Sequence, residues 1–237
     1  MKGSRLERLS AFLKNYRFAA GSCLRLFTAG VFSAPSRTRL AELCGFFGRV
    51  HKPVKPILPK VNPAALLPEG LGVEVRAPLA RDGNVTLFEL LVIAQLVRAR
   101  SPKALFEIGT FDGRTTLNMA ANSAADASVF TLDLPGELLA ATALPLAENE
   151  ERYIIKKASG ERFRGTDQEM KISQLFGDSA AFDFAPYRNA IDFVFVDGSH
   201  SLEYVKNDSL AAITLLRGGH GTVVWHDYDG WQDVTRA

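Results

Sequence analysis

Five acidic residues occupy equivalent places in this chain: Glu107, Asp133, Asp178, Asp197 and Asp227 each lie within or just after a short apolar run. The runs are Ala104 to Ile108, Ser128 to Leu132, Ile172 to Phe176, Ile191 to Val196 and Thr222 to Trp225, and each reads as a strand. A carboxylate accepts hydrogen bonds from hydroxyls and attracts cations. A single Asp after a strand is also an ordinary turn or helix-cap residue. Five strands that all deliver an acid to one edge of a sheet predict a negative rim there, and that edge is where open parallel sheets bind ligands. Such a rim repels a pyrophosphate and suits a ligand of cationic character with hydroxyls to be held.

The turn after the first run narrows the choice. Phe106-Glu107-Ile108-Gly109-Thr110-Phe111-Asp112-Gly113 spaces its glycines as Gly-x-x-x-Gly. It is not the Gly-x-Gly-x-x-Gly turn that brings a backbone against a pyrophosphate, and it has no Lys-Ser/Thr ending to cradle a triphosphate. NAD-dependent oxidoreduction is therefore disfavoured, whereas an adenosine joined to an amino acid through a sulfonium fits.

The elements that must position these residues alternate. Thr86 followed by Glu89 predicts a helix start, with Leu87, Leu90, Leu91, Ala94 and Val97 as its buried face and Pro102 beyond its end. A helix from about Arg114 to Ala124 follows the glycine turn, and another runs from Ser201 to Leu216 before a Gly-Gly turn. Residues 136 to 170 give a weaker pattern: a helix near Glu137 to Ala147 interrupted by Pro145, a short strand at Tyr153 to Lys156, then a polar loop. Apolar strands alternating with amphipathic helices imply a Rossmann-like α/β domain, a parallel sheet with helices on both faces.

Upstream lies a different kind of segment. Residues 1 to 60 carry twelve Lys and Arg against Glu7 and Glu42, a net +10, which leaves the remaining residues at −8. Leu6, Leu9, Leu13, Tyr16, Ala20, Cys23 and Phe27 are spaced by threes and fours, one stripe of a helix that Gly30 and Pro35 end. A second basic helix is expected from Ser36 to about Val50. Residues 1–51 thus form a helical arm, 52–80 a proline-rich linker and 81–237 the body. The arm is expected to pack on the body or on a second subunit, or to contact an anionic membrane surface peripherally. No apolar run reaches a membrane span, and the two cysteines, Cys23 and Cys44, are too few for a disulfide framework or a zinc site, which favours a cytoplasmic setting. His51 and His220 have no partners at suggestive spacing.

Glu107 to Gly113, with the Arg-Thr-Thr that follows it, resembles the first motif of class I S-adenosylmethionine (SAM) dependent methyltransferases. The resemblance continues through Thr131-Leu-Asp-Leu-Pro135, Leu175-Phe-Gly-Asp-Ser179, Val194-Phe-Val-Asp-Gly-Ser-His200 and Val224-Trp-His-Asp-Tyr228, in order, over about residues 80 to 237. It implies SAM binding by Glu107, Gly109, Thr110, Gly113, Asp133, Leu134, Asp178, Ser179 and Asp197. Asp133 would accept the ribose hydroxyls, and Asp178 with Ser179 would meet the adenine edge. It further implies methyl transfer to an oxygen of a small molecule or sugar, with His200 as general base beside Asp197, and no nucleic-acid partner. In a related set of sugar O-methyltransferases, acids at the positions of Asp197 and Asp227 hold a divalent metal such as Mg²⁺. His226 replaces an acid of that set and points to an ion that accepts imidazole. The same fold can also serve as a noncatalytic SAM-binding module. The family's sheet usually continues past its fifth strand, so a C-terminally truncated sequence is expected.

Overall fold

The computed structural model describes residues 5–33, 35–37 and 57–237. The chain divides into two units, Met1–Pro53 and Val54–Ala237. In the first, helix α1 (Arg5–Phe27) fulfils the stripe expected from the arm. It ends where Thr28 Oγ1 donates to the Leu24 carbonyl at 2.7 Å, and a 3₁₀ turn, Ala29–Phe32, follows. The expected second arm helix lies outside the described residues beyond its first positions, as does Cys44.

The second unit is built on five parallel strands, β1 (Ala104–Ile108), β2 (Ser128–Asp133), β3 (Ile172–Phe176), β4 (Phe193–Val196) and β5 (Thr222–Trp225), in the order β3-β2-β1-β4-β5. Alternate residues of each strand enter opposite cores. Leu105, Val129, Phe193 and Phe195 pack against α2 (Leu87–Arg100) and α3 (Arg114–Asn122) on one face. Phe106, Ile108, Leu132, Val194 and Val196 pack on the other face with Ala212 and Leu215 of α5 (Leu202–Leu215). Between β2 and β3 runs α4 (Glu151–Ile154), and α6 (Gln232–Arg236) follows β5. This is a Rossmann-like α/β fold, a parallel sheet with helices on both faces.

Several local expectations are corrected. The capping box of α2 is present, with Thr86 N donating to Glu89 Oε2 at 2.6 Å, but its buried side is Leu90, Ile93, Ala94 and Val97, and Leu87 is 46% exposed. The sheet meets this helix from its second turn, which leaves the first leucine outside. Residues 153–156 form no strand, because Tyr153 N bonds back to the Glu150 carbonyl at 2.9 Å and Ile155 N to the Glu151 carbonyl at 2.8 Å, which closes α4 instead. The helix expected over 137–147 is reduced to a 3₁₀ turn, Gly136–Ala141. The fourth strand also starts later than expected, at Phe193, because the Asp192 carboxylate accepts from Lys103 N and Ala104 N, both at 2.9 Å.

Helix α3 does more than cover the sheet. Its first residue, Arg114, is buried, and its guanidinium donates to the carbonyls of Ala77 (2.7 Å), Val85 (2.8 Å) and Pro78 (2.9 Å). Asn118 and Asn122, one turn apart, clamp both backbone groups of Arg76 and Glu74 respectively at 2.8–2.9 Å, as a neighbouring strand would. Polar groups buried this deeply must be bonded, so α3 fixes the extended segment 74–85 and, through it, the start of α2. Replacing Arg114 with Met strands the buried carbonyl of Val85 and the partly buried carbonyls of Ala77 and Pro78, and is expected to cost about 2–4 kcal/mol in urea denaturation. A loss within about 0.5 kcal/mol would show that the segment is not held by this clamp.

Candidate functional site

A cavity of about 300 Å³ opens at the carboxyl edge of the sheet, lined among others by Gly109, Phe111, Asp133, Leu134, Lys156, Asp178, Ser179, Asp197, His200, His226, Asp227 and Trp231. Its size falls at the lower end of small-ligand pockets. The strand-end acids Asp133, Asp178, Asp197 and Asp227 therefore share one hollow. Glu107, Thr110 and Gly113 lie behind its wall.

Gly109 shows why the wall is where it is. Its φ is +103°, and a Cβ there would stand 2.0 Å from the Asp197 carbonyl oxygen, so only glycine lets the β1 and β4 loops cross. At Gly113, with φ +83°, a Cβ would stand 2.6 Å from the Phe163 ring, so this glycine serves the packing of the 160–163 loop. Phe111, between them, is held at φ +49° with its N–H 3.3 Å from Asp133 Oδ1 and its carbonyl accepting from Gly160 N at 3.0 Å. That conformation is costly for an aromatic residue, about 1–3 kcal/mol.

Glu107 points away from the cavity into the α3 side of the sheet. It is fully buried and accepts from Thr116 Oγ1 and, at 2.6 Å, from Thr131 Oγ1, while its other oxygen has no hydrogen-bond partner. Burial raises its pKa to about 8, against the two hydroxyl bonds, with Asp197 and Asp133 adding to the rise. Glu107 thus braces the turn as a neutral acid at pH 7. Thr110 completes the brace with an Oγ1 to Thr131 Oγ1 contact of 2.7 Å.

Asp133 is buried and pairs with Lys156, Nζ to Oδ2 at 2.7 Å. Asp178 is spent within the fold: it accepts from Ala143 N (2.6 Å), Ala180 N (2.9 Å) and Tyr204 OH (2.8 Å). Ser179 stands beside it on the cavity wall.

The densest chemistry is a chain of alternating carboxylates and imidazoles. Glu150 Oε1 lies 2.5 Å from His200 Nδ1, His200 Nε2 lies 2.8 Å from Asp227 Oδ2, and that oxygen lies 3.1 Å from His226 Nδ1, which is also 3.1 Å from Asp197 Oδ1. Glu89 Oε2 stands 3.5 Å from His226 Nε2. Burial opposes charge on His200, but its bonds with Asp227 and Glu150 prevail and raise it to about 9. Burial likewise works against His226, and Asp197, Asp227 and Glu89 overcome it and lift that ring far above its ordinary value. Asp227 is depressed despite burial by its bonds to both rings. The Trp231 ring stacks on His200 at 4.5 Å and 19°.

Asp197, His226 and Asp227 bring three donor atoms within 4.8 Å of one another. Two oxygens and one imidazole nitrogen match a divalent ion that tolerates nitrogen better than Mg²⁺ does. The donor set fits such an ion once His226 Nδ1, which lies 3.1 Å from both carboxylates, gives up its proton.

Several of these partners carried no clear signal in the sequence. Glu150 holds the His200 loop through three bonds, from Ser199 Oγ, His200 N and His200 Nδ1, and accepts a fourth from Ala147 N of its own segment. It and Lys156 come from the stretch without periodicity. Glu89 carried a signal only as a helix cap. Of the aromatic residues near strand ends, Phe111 and Trp231 line the cavity; Trp225 instead donates to Ser209 Oγ at 2.9 Å, and Tyr228 OH accepts from Ile57 N and Leu58 N, both at 2.9 Å.

A parallel sheet in this strand order, with an acid-rimmed cavity at its carboxyl edge, defines a Rossmann-like ligand-binding domain. A family described as "Methyltransferase domain" matches residues 106–228, more than half of the chain, and the chain belongs to that family. Among solved structures it is similar to an SAH-bound methyltransferase of Podospora anserina (19% identity, 62% of this chain and 55% of that one, TM-score 0.43). It is also similar to an O-methyltransferase of Streptomyces achromogenes involved in tomaymycin synthesis, in complex with SAM (18%, 56% and 53%, TM-score 0.40). A third is an O-methyltransferase of Bacillus cereus in complex with SAH (18%, 67% and 63%, TM-score 0.36). The chain spans just over half the length of the first two. No curated protein sequence matches it.

Glu107 gives a stability signature. A carboxyl whose folded pKa is about 8 binds a proton that the unfolded chain, near 4.5, has already released, so stability falls as pH rises from about 4.5 to 8. Glu107→Gln is expected to remove that part of the slope in thermal melts across this range. An unchanged slope would mean that Glu107 is ionised in the fold.

Proposed function

We propose that the chain binds SAM in this cavity and transfers its methyl group to an oxygen of a small molecule or sugar. The observation that carries this reading is the meeting of Asp133 with the Asp197, His200 and Asp227 group across one hollow beside Gly109. When bound, SAM supplies a sulfonium-activated methyl group. Asp133 would accept the ribose hydroxyls as its bond with Lys156 is released. Ile108, Leu132 and Leu134 offer apolar walls, and Ser179 is the group of the Asp178-Ser179 pair left to meet the adenine edge, since Asp178 is fully bonded. Glu107 and Thr110 brace from behind, and Gly113 keeps the turn closed.

The acceptor hydroxyl would enter beside His200 and displace Asp227 from Nε2. His200 then takes the hydroxyl proton, while Glu150 holds Nδ1 and Trp231 holds the ring plane. In the free protein, where Asp227 still holds Nε2 and the pKa is raised to about 9, the ring must first lose its proton, so kcat/KM is expected to rise with pH through about 9 instead of levelling near 6.5. Asp197, Asp227 and His226 would hold a divalent ion. Such an ion would supply Lewis acidity to the acceptor oxygen.

One observation favours a second reading, a noncatalytic SAM-binding module: both ring nitrogens of His200 are already engaged by carboxylates. Calorimetry and turnover separate the two. Asp133→Ala is expected to abolish SAM binding, and His200→Gln to lower kcat by about 10²- to 10⁴-fold with SAM affinity intact. SAM binding with no methyl transfer to any of a panel of small hydroxylated acceptors, indifferent to His200, would establish the module. Undiminished turnover in EDTA would remove the metal role of Asp227 and His226.

A further inference from the structure

We propose that α1 is a peripheral anchor for anionic lipid bilayers, independent of what the cavity binds. The helix has 23 residues, and six large apolar side chains along one side of it are strongly exposed: Leu9 (54%), Phe12 (62%), Leu13 (48%), Tyr16 (64%), Leu24 (68%) and Phe27 (59%). At 3.6 residues per turn these six fall within an arc of about 120°, a continuous stripe along the helix. Phe18, also exposed, stands on the opposite side. Phe12 and Tyr16 stack within the stripe at 6.2 Å. A contiguous apolar strip of this length is rarely left to water.

Charge selects what covers it. From Arg5 to Phe27 the sequence contains Arg5, Arg8, Lys14, Arg17 and Arg25 against the one acid Glu7, a net +4. Arg17 borders the stripe, and Lys14 and Arg25 lie on the polar side beyond it. A bilayer bearing anionic headgroups takes the apolar stripe into its acyl boundary and attracts the basic polar side of the helix, and each cation held near the surface strengthens binding by roughly fivefold. Among the described residues no helix is long and apolar enough to cross a membrane, so the helix lies along the surface and does not span it. The bilayer would hold the chain at the boundary between water and lipid, whatever the reaction in the body.

The test uses the full chain and sedimentation with vesicles of phosphatidylcholine, with and without phosphatidylglycerol. The expected result is co-sedimentation with the anionic vesicles at least about tenfold above the neutral ones, weakening as salt is raised. Lys14→Glu with Arg17→Glu and Arg25→Glu should abolish it, and Phe12→Asp with Leu13→Asp should do the same, with the thermal transition of the protein unchanged. If either set fails to fold, the salt series on the unaltered protein decides. Equal binding to both vesicles, or none to either, overturns the proposal. So does a dimer, seen by light scattering, that Phe12→Asp with Leu13→Asp dissociates while vesicles bind nothing.

Discussion

The site depends on one backbone crossing. Gly109 passes the carbonyl of Asp197 at a distance no side chain tolerates, and around that point backbone bonds continue the sheet past its own strands. Gly109 N donates to the Leu132 carbonyl (2.8 Å), Asp197 N to Ile108 (2.8 Å), His226 N to Val196 (3.0 Å) and Gly177 N to Asp133 (3.0 Å). The loops after β1 to β5 are thereby fixed relative to one another before any side chain is considered. The acids they carry inherit that precision, because a residue directly after a strand has little backbone freedom left.

Fixing several carboxylates in one hollow creates an electrostatic problem, and the structure answers it in two ways. Behind the wall, Glu107 is too deeply buried to stay ionised and is kept as a neutral, hydroxyl-bonded brace. In front, five carboxylates are interleaved with three cations that offset part of their charge: Lys156 against Asp133, His200 between Glu150 and Asp227, His226 among Asp197, Asp227 and Glu89. Each cation in this array sits where removal of its partner would leave a buried uncompensated charge. The same balance makes the array responsive, since a ligand that engages Asp133 or Asp227 must release Lys156 or His200.

What was legible in the sequence follows this division. The five strands stood out as short, mostly apolar runs, most clearly in β1 and β4, which lie at the centre of the sheet with both faces covered, and the acids at their ends were visible against those runs. Asp197, His226 and Asp227, named from their places after β4 and β5, do come together. The side-chain direction of Glu107 was not legible, because a residue one place before the end of a strand points to a face that only the pairing register decides. Gly113 looked like the twin of Gly109 by spacing, yet its close neighbour is the Phe163 ring, a contact across fifty residues that no local pattern announces.

The stretch from 136 to 170 was opaque for a different reason. Secondary structure betrays itself through hydrophobic period, and this segment is placed by charge: Glu150 by the His200 loop, Lys156 by Asp133, Arg162 by Asp112 at 3.0 Å, Arg164 by Gln174 at 2.6 Å. Such anchors need one residue each and impose no spacing between them, so the chain joining them is free to turn irregularly. It also supplies the wall of the cavity opposite the strand ends, through Leu146, Tyr153, Ile154 and Lys156. The sheet therefore dictates where a ligand's common features are read, whereas the shape offered to whatever lies beyond them is set by a segment under few backbone constraints. That is why a single sequence reveals the edge of the sheet more readily than the far wall.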